Sequence, residues 1–272
     1  VPGFFAALHP GDFVKGLLYP LRGLAILRRH PGLARFWLPP IVLTTAALVA
    51  SLVFAVRYYD EAVEKVWRTP AGVGFSGSVL SVLHGLLSAL ALVVGVGLAM
   101  LVSVVLANLF AAPFNDALSE AVEELETGRP APAFSLVRLL SDLWRTLRLE
   151  LTKLLLYLAV MGPLLMVSWL LPGLGQALYL VFAALFTALY FAVDYIDWPA
   201  SRRGFGFRQR ISLLRVRPLL TLGFGFAVAG CLFVPLLNLC FMPLAVAGGT
   251  RLFLDLYAYA ARETALRTAP DE

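Results

Sequence analysis

Residues 69–115 read TPAGVGFSGSVLSVLHGLLSALALVVGVGLAMLVSVVLANLFAAPFN, and no Lys, Arg, Asp or Glu interrupts them. A helix with one face in water does not sustain such a run. A stretch that is apolar all round for 18 or more residues reads as membrane-spanning. Residues 36–56, 154–193 and 218–250 are equally free of formal charge. The 272-residue chain is 60% hydrophobic and 14% charged, where an ordinary globular domain carries about 25% charged residues. The expectation is therefore an all-α integral membrane protein. It forms a single membrane domain over 1–272, because the longest polar stretch, 116–153, is too short for a second domain. The net charge of +5 is spread beside apolar runs, the pattern of anchoring to membrane lipids and not of nucleic-acid binding.

Two of the runs predict long transmembrane helices. One extends from Leu33 through Phe54, with Pro39-Pro40 predicting a kink or a late start. The other covers 79–110, with Gly85, Gly95 and Gly97 offering close-packing surfaces. The remaining runs predict two short helical hairpins: 154–171 with 174–193 about Pro172-Gly173, and 219–234 with 236–250 about Pro235. Their arms of 15 to 20 residues are marginal for a crossing that needs about 20. Full crossing and partial penetration both fit.

Three amphipathic segments accompany them. In 11–29, Phe13, Leu17, Leu21, Leu24 and Leu27 recur at helical spacing opposite Lys15, Arg22, Arg28 and Arg29, with a bend at Pro20. Such a helix lies at the bilayer interface or packs on the protein's own membrane core. In 116–126, Glu120, Glu123 and Glu124 read as a solvated face opposite Leu118, Val122 and Leu125. In 135–150, Ser135 is the expected N-cap and Arg138, Arg145 and Arg148 the basic side. Residues 1–35 hold five basic residues to one acidic, and 194–217 hold six to two. That bias places both termini and the basic loops in the cytoplasm.

No phosphate-binding loop, H-E-x-x-H, C-x-x-C or G-x-S-x-G motif occurs. His9, His30 and His84 are far apart in sequence, and Cys231 and Cys240 sit in the last apolar run as packing residues. No enzyme, metal site or cofactor is expected. Asn108 and Asn238 are costly within apolar runs and read as pore lining or helix-to-helix hydrogen bonds. Arg28, Arg29 and Arg35 flank the helix start at Leu33, where free N–H groups and the positive helix end gather. A sulfate dianion suits that setting; a grip on lipid phosphates is the other reading.

The segments HPGLARF (30–36), ANLFAAPFN (107–115), LPGLGQ (171–176), DWP (197–199), VPLLN (234–238) and MPLAVAGGT (242–250) resemble the CysZ sulfate permeases and their etoposide-induced-protein relatives. The resemblance implies an oligomeric, all-helical inner-membrane protein that passively admits sulfate for cysteine synthesis without a cofactor. It also implies two long transmembrane helices with hairpins that penetrate partway. The family's sulfate site is a Gly-Leu-Arg motif at a helix start, followed by a second Arg. Here that motif falls on Gly32 and Leu33, with Ala34 in place of the first arginine and Arg35 keeping the second. Arg28 and Arg29, a turn earlier, complete the candidate set. The alternative is a non-transporting scaffold whose helices at 11–29 and 135–150 bind or bend the bilayer.

Overall fold

The computed structural model describes residues 9–66, 75–128, 136–232 and 235–268. Among them the chain is all-α: α1 (Pro10–Leu17), α2 (Tyr19–Arg29), α3 (Ala34–Val66), α4 (Phe75–Thr127), α5 (Leu136–Leu170), α6 (Leu174–Tyr195), α7 (Asp197–Arg202), α8 (Phe207–Leu214), α9 (Pro218–Leu232) and α10 (Pro235–Thr268). A 3-10 turn, Pro31–Leu33, leads into α3. The chain divides into two compact units, Val1–Ala34 with Asn115–Glu272, and Arg35–Phe114.

The second unit holds most of α3 and the larger part of α4. Pro31–Tyr58 and Ser78–Leu98, of 28 and 21 residues, are long and apolar enough to cross a membrane, and none of either apolar window is buried. Val42, Phe54, Val82, Leu86 and Val93 all stand exposed. Water would penalise a patch of this size, whereas acyl chains are its natural solvent. The proline pair does not delay the helix, because Pro39 and Pro40 both lie inside α3. The helix expected over 79–110 runs on past Phe110. The apolar run and the acidic amphipathic segment form one 53-residue helix with Pro113 inside it. The last turns are held by tertiary packing, with Leu118 and Val122 fully buried in the first unit, and such packing overrides a local breaker.

The first unit is built from hairpins. α5 and α6 meet at Leu171–Gly173, where Gly173 has φ 86°, a backbone state that glycine reaches without a Cβ penalty. The arms are unequal. α6, with 22 residues, is long enough to cross, while the apolar part of α5, Leu155–Leu170, is shorter. α5 also absorbs the amphipathic helix predicted at 135–150, from Leu136 on; Ser135 and the side chains of Arg138, Arg145 and Arg148 lie outside the described residues. α8 and α9 meet at a bend of 103°. α10 runs well past the expected end at Thr250, since Leu252, Phe253 and Leu256 are fully buried.

Glycines set the closest approaches. A Cβ on Gly16 of α1 would fall on the Leu220 carbonyl oxygen of α9, and one on Gly223 would fall on that of Phe13. Gly23 and Gly248 relate α2 and α10 in the same reciprocal way. The helix expected at 11–29 is thus two helices broken at Leu18, packed on the protein's own core. Its buried face is Asp12, Gly16, Tyr19, Pro20, Gly23 and Leu27. Of the expected apolar stripe only Leu27 lies on that face; Phe13, Leu17 and Leu24 are half-buried and Leu21 is 57% exposed. Backbone-to-backbone contact through glycine brings more atoms together than leucine ridges would, and it dictates the rotation.

Candidate functional site

The predicted anion-binding residues start at the end of α2. Arg28 and Arg29 occupy its last turn and are exposed. His30 ends it, donating its N–H to the Ile26 carbonyl at 3.0 Å. In the turn that follows, Pro31 has no N–H, and the Leu33 N–H is engaged with the His30 carbonyl at 3.0 Å. Of the expected Gly32-Leu33 donor pair, the Leu33 N–H is therefore already used, and its side chain is buried. Gly32 is exposed, and a Cβ there would meet nothing within 4 Å. Arg35 lies in the first turn of α3, exposed, with its guanidinium 4.7 Å from the Phe36 ring centroid. Arg28, Arg29, Gly32 and Leu33 belong to the first unit and Arg35 to the second. No ion pair ties Arg28, Arg29 or Arg35 to another described residue. Asn108 and Asn238 fall on α4 and α10, but their side chains lie outside the described residues.

The structure assembles a second polar site inside the first unit that sequence reasoning missed. Arg202, at the end of α7, donates to Asp116 Oδ1 at 2.6 Å, and to Ser119 Oγ and Glu123 Oε2, each at 2.9 Å. Arg203 takes the other oxygen of Glu123 and lies 4.8 Å from the Phe253 ring centroid. The Thr250 hydroxyl sits 2.8 Å from Ser119 Oγ. Arg251 pairs with Glu126 and Asp255. Tyr19 donates its phenol proton to Asp255 at 2.8 Å. Asn115, at the head of this face, reaches Met242 Sδ at 3.6 Å.

Glu123 is thus a paired group and not part of a solvated face. Burial pushes its carboxyl up, but the hydrogen bonds and charges of Arg203 and Arg202 more than offset that and hold it below its ordinary value. Tyr19 moves the opposite way: burial first, then the charge of Asp255, raise its phenol, which stays a neutral donor. Behind this belt Arg210 is fully buried, 2.8 Å from Asp197 Oδ1 and 2.7 Å from Ser201 Oγ. Arg217 at the foot of α9 holds Asp12 of α1 bidentately, at 2.7 and 3.1 Å.

Four of the six arginines in 194–217 therefore hold carboxylates, and only Arg208 and Arg215 stand exposed. A signal was present. Residues 116, 119, 123 and 126 recur at helical spacing as one polar face, which is the pattern of a partner and not of solvent. The cations it meets lie about 80 residues or more away in sequence, so the pairing itself was not legible.

A family model described as Sulfate transporter CysZ/Etoposide-induced protein 2.4 matches residues 19–243. The chain is also 36% identical over 152 residues to the Sulfate transporter CysZ of Pectobacterium atrosepticum, covering 56% of this chain and 55% of that protein. It spans about half the length of the curated relative it matches.

Proposed function

Because this chain belongs to the Sulfate transporter CysZ/Etoposide-induced protein 2.4 family, we propose that it is a passive sulfate permease of a bacterial inner membrane. In this reading it works as a homo-oligomer and supplies sulfate for cysteine synthesis. The observation that carries the proposal is the family match over most of the chain. Among the described residues, three helices long and apolar enough to span a bilayer support it. The first binding step falls on Arg35 with the open N–H of Gly32, and Arg28 and Arg29 raise the local positive potential. Among the described residues no carboxylate pairs with these three exposed arginines, unlike the arginines of the polar belt.

Replacing Arg35 by Ala removes a charge-assisted hydrogen bond of about 1.5–3 kcal/mol, so sulfate affinity is expected to fall roughly ten- to a hundredfold. Ala34→Arg restores the family motif and should strengthen binding. Calorimetry on the detergent-solubilised protein and labelled sulfate flux into liposomes read both effects. No sulfate binding in either the parent or Ala34→Arg would remove the permease reading at this site and favour the scaffold.

The basic bias puts residues 1–35, 113–153 and 194–217 in the cytoplasm and 57–78 outside. Arg208→Cys, at an exposed position in a background where Cys231 and Cys240 are replaced by Ser, is expected to react with an impermeant thiol reagent only after the cells are opened. Labelling of intact cells would reverse the orientation.

A further inference from the structure

We propose that the outward face of α1 and α2 is a docking strip for anionic phospholipid headgroups. The inner face of this helix pair is bolted down by the Gly16–Gly223 and Gly23–Gly248 approaches and by Asp12 on Arg217. What remains outside is unusual for a surface in water. Val14, Leu18 and Leu21 are 57%, 43% and 57% exposed. They lie among the exposed cations Lys15, Arg22, Arg28 and Arg29.

Neither helix of the pair adds an exposed acid to this face, and Asp255 of α10 borders it at Arg22. Asp12 is the one carboxylate between residues 9 and 35, and it is buried, facing inward. Lys15 and Arg22 reach Asp12 and Asp255 only at 3.7 and 4.0 Å, at the limit of an ion pair. Their side chains are 61% and 45% exposed.

A strip of apolar side chains edged by cations fits one layer of matter that offers both partners. Lipid phosphates meet the cations, and the upper acyl carbons take up the valine and leucines. A dissolved anion answers only the first need. A second copy docked about a twofold axis would set cations against cations. Arg28 and Arg29 are shared with the sulfate proposal, whereas Lys15 and Arg22 have no part in it and carry the test.

The test uses the full-length protein in liposomes of mixed phosphatidylglycerol and phosphatidylcholine, with spin-labelled lipids reporting the association constant of one over the other. The parent is expected to prefer phosphatidylglycerol. Lys15→Gln/Arg22→Gln should reduce that preference by up to about fivefold per cation removed. Arg208→Gln/Arg215→Gln, which removes two exposed cations elsewhere, should leave it unchanged. Lys15→Gln alone, at a 61% exposed side chain whose carboxylate neighbour Asp12 keeps its two shorter bonds to Arg217, provides the readout if the double variant misfolds.

A parent with no preference, or a variant that keeps it, overturns the proposal. So does loss of the preference to inorganic sulfate at fixed ionic strength, which would make the strip a free-anion site. A smaller oligomer in the variant with lipid preference intact would assign the face to a second copy, and the proposal would fail.

Discussion

Arg217→Leu is expected to destabilise the first unit by about 3–5 kcal/mol, the cost of leaving a buried charge without its partner. Asp12 is 1% exposed and accepts both of its short hydrogen bonds from Arg217, while Lys15 approaches no closer than 3.7 Å. Removing the guanidinium leaves a carboxylate that neither water nor another cation can reach well. The stack of Arg217 on Tyr259, at 4.6 Å, is lost as well. The reverse change leaves a less severe orphan, because Arg217 is 21% exposed and can turn toward water. Asp12→Leu/Arg217→Leu should regain most of the loss, since a buried ion pair exchanged for apolar side chains is often neutral. Thermal unfolding of the four proteins of this cycle in one mild detergent measures the coupling. A single variant within about 1 kcal/mol of the parent would show that the pair contributes little.

What could be read in the chain follows from the physics of each signal. Length and polarity are local, so the apolar run at 69–115 and the hairpin turn at Pro172-Gly173 were legible residue by residue. Helix ends were less so. The segments read at 79–110 and 116–126 are one helix, since buried Leu118 and Val122 carry α4 past Pro113. The candidate site was legible only as composition. Arginines near a helix start announce an anion site, but which N–H groups remain open depends on the turn, and here the Leu33 N–H is spent on His30. The polar belt was hidden for a different reason. Glu123 and Arg202–Arg203 lie far apart in sequence, and each alone resembles a surface group. Only the fold makes them one structure.

The same limit applies to glycine, whose role in a sequence is ambiguous until its neighbours are known, and α9 contains a direct comparison. A Cβ on Gly225 would fall on the carbonyl oxygen of Ala188 in α6, whereas a Cβ on Gly230 would meet nothing within 4 Å. The obstacle at Gly225 is backbone, which cannot rotate away as a side chain can, so the two helices must part. Gly225→Ala is therefore expected to cost about 3 kcal/mol, the upper end of what overpacking commonly costs. The helix-propensity gain of about 1 kcal/mol from replacing glycine offsets part of the strain. At Gly230 only that gain operates, and Gly230→Ala should be neutral or stabilise by up to about 1 kcal/mol. One substitution at two sites of one helix thus has opposite expected signs, which removes propensity and detergent as common explanations. Unfolding midpoints for both variants decide the matter. Equal midpoints would mean that α6 and α9 do not meet backbone to backbone, and the glycine account of this packing would fall with them.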